Sequence, residues 1–200
     1  MKFTSALALA ALAAAPALAS AATVDFETTW AYGTDINDYY NGGAASDGST
    51  GGANLGFSFV NVTGLSNDEL GPYFSGAPSP LGVAYAHDSA YINVAAGVKD
   101  QLAFWYASPS AVQGAIKAYS GLNGTGTLLG VFDLAANSGA GYDTWTAATF
   151  SFAGIAQSFD LSATAGVSAF DNISAVPLPP SAWLMAAGLA VVGIARRRKG

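Results

Sequence analysis

The one histidine of this chain lies beside a carboxylate and a hydroxyl, in the run His87-Asp88-Ser89. The same three residue types form the catalytic triads of many hydrolases, in which the histidine takes a proton from the serine. Neighbouring residues of a strand point to opposite faces, however, so these three side chains cannot form a triad among themselves. We therefore interpret His87 as part of a polar loop or a strand edge.

Carboxylates are the other groups that could carry out chemistry, since the chain has 13 Asp and Glu residues and no cysteine. The absence of cysteine excludes disulfides, thiol nucleophiles and thiolate metal sites. The chain also lacks the Gly-x-Ser-x-Gly, His-Glu-x-x-His and phosphate-loop motifs. We therefore predict that the protein is not an enzyme. The alternative is a polysaccharide hydrolase, which needs two carboxylates about 5–9 Å apart in an open cleft.

The charges are distributed unevenly along the chain. Five of its 7 cations lie near the two ends; they are Lys2, Arg196, Arg197, Arg198 and Lys199. The region between the ends keeps only Lys99 and Lys117 against all 13 acids, so its formal net charge is −11. Such a surface repels phosphate backbones, which excludes nucleic-acid partners. It favours solubility and the uptake of cations.

Short runs of aromatic and β-branched residues, with glycine- and asparagine-rich breaks about every ten residues, are typical of β-sandwiches and barrels. We predict an all-β protein, an antiparallel β-sandwich of about residues 22–176, which is long enough for one domain with its own core. The predicted strands are residues 23–28, 55–62, 81–86, 90–95, 98–108, 112–119, 128–134, 145–152, 155–162 and 167–175.

Turn signals and alternation add detail to this sandwich. Asn123-Gly124 predicts a hairpin because both residues tolerate positive φ, and Ala153-Gly154 gives a weaker signal of the same kind. Period-two alternation predicts one set of core residues; they are Leu102, Phe104, Tyr106, Phe150, Phe152, Phe159 and Leu161. The alternative is that these aromatic side chains form a ligand-binding platform.

The first 21 residues have the anatomy of a secretory signal peptide. Lys2 supplies a positive charge, residues 3–15 form an apolar run, and small residues precede two candidate cleavage sites, after Ala19 and after Ala21. We predict export and cleavage by signal peptidase.

The last 24 residues, 177–200, predict a membrane segment with a stop signal. A proline-rich entry precedes residues 182–195, which carry no charge and span roughly 21 Å as a helix, against about 30 Å for the bilayer core. Trp183 suits one membrane interface. The four cations that follow resist crossing the membrane; they are Arg196, Arg197, Arg198 and Lys199. We predict a single transmembrane helix; an amphipathic helix is the alternative, but the run has no polar face.

This three-part tail resembles the PEP-CTERM sorting signal of exopolysaccharide-producing Gram-negative bacteria. The matching motif is Pro177, Leu178 and Pro179, with leucine where the commonest family motif has glutamate. The resemblance implies recognition by exosortase, a membrane-embedded processing enzyme. It implies transient residence in the inner membrane, followed by release to, or attachment at, the cell surface or the extracellular matrix of a biofilm. A Gram-positive sortase signal is the alternative, from which Ser181 and Ala182 depart.

Three segments of the body resemble the lectin-like jelly rolls of carbohydrate-binding modules. They are Val24-Asp25-Phe26-Glu27, Tyr40-Asn41-Gly42-Gly43 and Ala169-Phe170-Asp171-Asn172-Ile173. The resemblance implies that the first and last strands lie side by side and are tied by a structural Ca²⁺. The implied ligands are Glu27, Asn41, Gly43 through its carbonyl, and Asp171; carboxylate and carbonyl oxygens are what Ca²⁺ prefers. The alternative is that these acids are solvated turn and edge residues.

These observations predict an exported, non-catalytic component of a surface or matrix, which either associates with exopolysaccharide or has a purely structural role. In the first case a calcium-stabilised, lectin-like domain would stack sugars on exposed aromatic side chains. The candidates for stacking are Tyr39, Tyr40, Tyr73 and Trp105. An exposed aromatic row beside a groove favours this alternative, and a featureless surface favours the structural role.

Overall fold

Seven strands form one antiparallel sheet in the part of the chain that the structure describes. Their order across the sheet is β1-β7-β3-β6-β4-β5, and β2 also pairs with β3. The strands are β1 (Ala22–Val24), β2 (Ser58–Ser66), β3 (Gly82–Ala107), β4 (Val112–Tyr119), β5 (Leu128–Leu134), β6 (Thr146–Asp160) and β7 (Ala169–Ala175). Two single turns of 3-10 helix, Tyr39–Asn41 and Ser162–Thr164, are the other regular elements of the described residues. The predicted all-β, antiparallel class is confirmed.

The structure is a computed structural model that describes residues 22–66, 74 and 76–175. The predicted signal peptide, sorting motif, transmembrane helix and basic tail lie outside the described residues. Every described residue belongs to one unit, Ala19–Leu178. Within the described ranges, no helix is both long enough and apolar enough to span a bilayer.

The longest strand, β3, has 26 residues and pairs with β2, β6 and β7. Its ladders shift register at several points, and Ser89, Gly97 and Asp100 have positive φ. Such bulges bend a strand without ending it. The sequence predicts three strands here; the structure has one because the polar and glycine-rich breaks form bulges instead of turns.

The same error affects β6, which unites two predicted strands. Gly154 has a φ of 95° but lies inside β6, where the register of the β3–β6 ladder shifts. The hairpin prediction at Ala153-Gly154 is therefore wrong. The prediction at Asn123-Gly124 is confirmed, because both residues have positive φ and join β4 to β5.

The first and last strands lie side by side, as the jelly-roll resemblance implies. Ala22 of β1 pairs with Ala175 of β7, and Val24 pairs with Ile173. This contact closes the chain on itself, since the two strands come from opposite ends of the described residues. It places the polar residues that follow β1 close to those on β7.

The core is aromatic and follows the predicted alternation. All seven predicted core residues are buried, from Phe159 at 0% exposure to Phe152 at 8%. Phe104 makes edge-to-face contacts with Phe132 and Phe170, at ring distances of 5.7 and 5.9 Å. Burying one such side chain contributes about 1.5–3 kcal/mol relative to its exposure. The prediction of a core, and not of a ligand platform, is confirmed for these residues.

Candidate functional site

A buried carboxylate lies where the first and last strands meet. Asp171 of β7 is fully buried. Its Oδ2 accepts a hydrogen bond from the backbone N–H of Ser79 at 2.8 Å, and its Oδ1 accepts one from the backbone N–H of Asn172 at 2.7 Å. Close by, Oε1 of Glu27 accepts the backbone N–H of Leu81 at 2.7 Å. Two carboxylates therefore hold the chain at residues 79–81 in place.

The pKa of Asp171 is raised to about 7, mainly by burial and also by the negative charges of Glu27 and Asp25, while the hydrogen bonds from Ser79 and Asn172 oppose the shift. The charge of Asp25 also reaches Tyr40: burial, and then Asp25, raises the pKa of the Tyr40 hydroxyl. The seam between β1 and β7 is thus a region of concentrated negative charge. Oxygen-rich sites of this kind suit a hard cation such as Ca²⁺.

Of the four predicted calcium ligands, Glu27 and Asp171 lie in this seam, and the contacts of the other two are with Asp38. The Asn41 amide donates to the Asp38 carboxylate at 3.4 Å, and the Gly43 N–H donates to the Asp38 carbonyl at 2.9 Å. In the described part of the chain, no three His, Asp or Glu side chains converge closely enough to hold a metal ion. The calcium site stays a prediction.

Sequence reasoning left Asp25 out of the ligand set, although its charge reaches both Asp171 and Tyr40. The signal was available in the alternation of Asp25 and Glu27 along Val24-Asp25-Phe26-Glu27. The bonds from Ser79 and Leu81 were not predictable, because they join positions more than 50 residues apart in the chain.

His87 has partners on a neighbouring strand and not in its own tripeptide. Its Nε2 lies 2.7 Å from the hydroxyl oxygen of Thr63 on β2, and that hydroxyl donates to the Asp35 carboxylate at 3.1 Å. The carbonyls of Asp88 and Ser89 accept hydrogen bonds from the side chain of Asn61, each at 3.1 Å. The tripeptide thus forms a bulged stretch of β3 beside β2.

Beside His87 lies a pocket of about 480 Å³ on the β2–β3 ladder, next to a small hydrophobic cluster against which Leu65 and Tyr85 pack. It is lined by Tyr32, Gly33, Asp35, Thr63, Leu65, Tyr85 and His87. Tyr32 is fully exposed and Tyr85 is half-buried. We call this the tyrosine pocket.

A second depression, of about 560 Å³, follows the other end of β2. Its polar lining is mostly amide and is formed by Asn37, Asp38, Asn41, Ser58, Asn93 and Asn123. The Asn93 amide donates to the Asn123 side-chain carbonyl at 2.7 Å, and the Asn93 side-chain carbonyl accepts the Asn123 backbone N–H at 2.8 Å. These two bonds fix the Asn123 loop over the end of the ladder. We call this depression the amide groove.

The aromatic residues predicted to stack sugars lie in different surroundings. Tyr39 and Tyr40 are buried and pack edge-to-face at a ring distance of 5.0 Å, so they do not form an exposed platform and this prediction is wrong. Tyr73 lies outside the described residues. Trp105 is 37% exposed, in a shallow depression of about 420 Å³. Tyr32, which no sequence pattern marked, is the most exposed aromatic side chain among the described residues.

No protein-family model and no protein with a curated description matches this chain. Among solved structures, it is similar to CsCBM6-3 from Clostridium stercorarium in complex with cellobiose, with a TM-score of 0.38, 16% identity and coverage of 60% of this chain and 86% of that chain. It is also similar to CBM35 from Paenibacillus barcinonensis, with a TM-score of 0.39, 17% identity and coverage of 60% and 92%.

A third similarity is to a glycoside hydrolase family 43 arabinoxylan arabinofuranohydrolase from Bacillus subtilis in complex with cellotetraose. Its TM-score is 0.39 at 15% identity, and the match covers 67% of this chain and 32% of that chain. TM-scores below 0.5 do not establish a common fold. The architecture described above therefore relies on the strand pairing alone.

Proposed function

We propose that this chain is an exported, non-catalytic protein that associates with extracellular polysaccharide after an exosortase has processed its C-terminal sorting signal. The order of prolines, uncharged run and basic tail in residues 177–200 supports the sorting step. In this proposal the basic residues stop the chain in the inner membrane with the acidic domain outside. Processing near Pro177–Pro179 then delivers the domain to the cell surface or matrix. We assign the domain to the jelly-roll type of sandwich, which the pairing of β1 with β7 supports.

The amide groove is the observation that carries the binding function. Each asparagine side chain offers two N–H donors and a carbonyl acceptor, so neighbouring amides can match the neighbouring hydroxyls of a sugar ring. Asn41 and Asn123 are exposed in the groove, and Asn93 is held by its two bonds to Asn123. Convergent polar groups in a concave surface are typical of ligand sites.

A binding role fits this groove better than hydrolysis. A glycoside hydrolase places two carboxylates about 5–9 Å apart across its cleft. Among the described residues that line the amide groove, Asp38 is the one carboxylate. The Asp38 carboxylate accepts a hydrogen bond from the Asn41 amide. The described groove lining therefore lacks the second carboxylate that hydrolysis would need.

Binding of the full-length chain, in mild detergent, to immobilised hydroxyethyl cellulose tests this function. We expect Asn123→Ala and Asn41→Ala to weaken binding, each by roughly fivefold for the loss of about one net hydrogen bond. Gln113→Ala is the matched control, because Gln113 is exposed on β4 outside the groove. Unchanged affinity in both asparagine variants would remove the groove from the account, and release of shortened sugar chains by the protein would replace binding with hydrolysis.

The sorting step has its own test, mass spectrometry of the C-terminus of the protein isolated from its native cells. The proposal predicts a C-terminus near Pro177–Pro179, without the basic tail. Deletion of these three residues should leave the protein in the membrane with its tail intact. Recovery of the complete chain from the cytosol would contradict export and sorting together.

A second candidate function is calcium binding at the seam between β1 and β7. It is supported by the burial of Asp171 beside Glu27 and Asp25 in a place where their charges raise its pKa. A bound Ca²⁺ would neutralise this repulsion, with Glu27 and Asp171 as ligands and Asn41 and Gly43 as the further candidates. Ca²⁺ should raise the melting temperature of the full-length chain, and EDTA should lower it to the metal-free value. A melting temperature that responds to neither would remove calcium from the account.

A further inference from the structure

The tyrosine pocket and the amide groove lie on the same face of β2, although simple alternation would separate them. Register pairs Ser58 with Asn93 and Thr63 with Tyr85, and the ladder shifts between Val60 and Val62. Asn61, with a φ of 51°, is the single β2 residue at this shift, and it lies opposite residues 87–90 of β3. It changes the parity of the strand, so Ser58 and Val60 before it share a face with Thr63 and Leu65 after it.

A matching irregularity occurs on β3 opposite Asn61. Ser89 has a φ of 57°, and the Asn61 amide donates to the carbonyls of Asp88 and Ser89. The two bulges are therefore fastened to each other. Tyr91 pairs with Val60 and lies between the two depressions in register. Together the depressions follow about eight residues of β2, roughly 25 Å at the rise of an extended strand.

Inside the tyrosine pocket, a chain of hydrogen bonds sets the tautomer of His87. The Thr63 hydroxyl donates its hydrogen bond to the Asp35 carboxylate. In its contact with His87 Nε2, the hydroxyl oxygen is therefore the acceptor. His87 Nε2 consequently carries a proton, and in the neutral ring Nδ1 keeps its lone pair as an acceptor. Among the described residues, His87 Nδ1 has no hydrogen-bond partner of its own. The pocket thus offers an oriented acceptor beside aromatic surface.

The rest of the lining presents apolar surface. Tyr32 is fully exposed, and Leu65 and Tyr85 are half-buried beside it. Tyrosine combines a large apolar face with a polar tip, which suits ligands that are themselves apolar on one side and polar at the rim. A sugar ring has this character, with C–H groups on its faces and hydroxyls around its edge.

The charges that line the two depressions limit which sugars can bind there. Asp35 lines the tyrosine pocket and Asp38 lines the amide groove. The cations Lys99 and Lys117 line neither depression, and the region between the two termini has only these 2 against 13 acids. A polymer of uronic acids would meet repulsion along this whole face, whereas an uncharged or amino-bearing polymer would not.

We propose that the tyrosine pocket is a second sugar-ring site, selective for neutral or amino sugars over acidic ones, and that it binds the same polymer as the amide groove. Tyr32 and Tyr85 contact the face of the ring, and His87 accepts a hydrogen bond from a ring hydroxyl. The inference relies on the proposed polysaccharide-binding function for its class of ligand. To that function it adds a second site, the residues that form this site and a selectivity for uncharged or amino sugars.

The test uses the full-length chain in mild detergent with three immobilised polymers: hydroxyethyl cellulose, which is neutral, chitosan, which is cationic, and alginate, which is a polyuronate. We expect binding to the first two and at least tenfold weaker binding to alginate. Tyr32→Ala should weaken binding to hydroxyethyl cellulose by roughly five- to tenfold, in proportion to the loss of one aromatic contact. Because Tyr32 is fully exposed, this variant should keep the wild-type melting temperature.

Trp105→Ala is the matched control, an exposed aromatic residue in a different depression. If Trp105→Ala loses binding and Tyr32→Ala binds like the wild type, the sugar site lies at Trp105 and the inference is overturned. Alginate binding as tight as that of hydroxyethyl cellulose would overturn the charge selectivity. If the wild-type chain binds hydroxyethyl cellulose and only the groove variants weaken it, the pocket fails while the proposed function stands. If the wild-type chain binds none of the three polymers, both fail.

Discussion

The seam between β1 and β7 and the tyrosine pocket on the β2–β3 ladder both contain polar side chains, but these side chains have different kinds of partner. In the seam, Asp171 is fully buried and both its oxygens accept backbone N–H groups. In the tyrosine pocket, Tyr32 is fully exposed and His87 contacts Thr63 through one ring nitrogen. The two places differ in what holds the polar groups: backbone N–H groups hold the Asp171 carboxylate, and the Thr63 side chain holds the His87 ring.

The largest expected effect is on stability, at the seam. Asp171→Ala removes the acceptor of the Ser79 N–H in a buried place, and we expect the free energy of unfolding to fall by about 2–4 kcal/mol. Asp133→Ala is the matched control, because the exposed Asp133 also accepts a backbone N–H, from Gly114 at 2.6 Å. It should cost less than about 1 kcal/mol. Equal losses of the two variants in urea denaturation would contradict the structural role of the buried carboxylate in the seam.

The second effect is a pH dependence with a definite sign. The pKa of Asp171 is about 7 in the folded protein against an ordinary 3.8, so the folded state holds this proton more tightly than the unfolded chain. The contribution to stability is full below about pH 4 and is lost as the pH rises to about 7. In EDTA, Asp171→Asn should therefore show a weaker loss of stability over this window than the wild type. Parallel curves for the two proteins would contradict the burial argument.

The third effect concerns the orientation of His87. Thr63→Val removes the hydroxyl between His87 and Asp35. We expect binding to hydroxyethyl cellulose to weaken by roughly threefold to fivefold, as for one net hydrogen bond. Thr149→Val is the control, since Thr149 is an exposed strand residue on β6. Wild-type affinity in Thr63→Val would mean that the hydrogen-bond chain does not position a binding group.

The smallest expected effect is on the stability of the Tyr32→Ala variant. Tyr32→Ala should change the free energy of unfolding by no more than about 0.5 kcal/mol, because surface substitutions away from buried contacts rarely do more. Thermal denaturation measures it directly. A fall of about 2 kcal/mol or more in the free energy of unfolding would show that Tyr32 stabilises the fold, which contradicts its assignment as a free ligand-binding side chain.

The strands that could be predicted well are those with local signals at both ends. β4 and β5 coincide with their predicted ranges, 112–119 and 128–134, because Asn123-Gly124 marks the turn between them. β3 was divided into three because a bulge at Ser89 and a turn have similar polar sequences. The distinction depends on whether a partner strand continues, and β2 supplies that partner from elsewhere in the chain.

The candidate sites were harder to predict for the same reason. Asp171 and Glu27 were identified through resemblance, but their bonds to Ser79 and Leu81 depend on how the intervening chain folds. Tyr39 and Tyr40 gave the same sequence signal as an exposed pair and are buried, because a 3-10 turn directs them into the core. The tyrosine pocket depends on the paired bulges of β2 and β3, and the alternation of polar and apolar residues in the sequence does not predict such bulges.

Hydrogen–deuterium exchange of the full-length chain, with and without the neutral oligosaccharide cellohexaose, tests the binding face most directly. We expect new protection in β2, in the first half of β3, in residues 32–41 and in the Asn123 loop, with exchange unchanged in β1 and β7. Protection confined to β1 and β7, or around Trp105, would contradict this expectation.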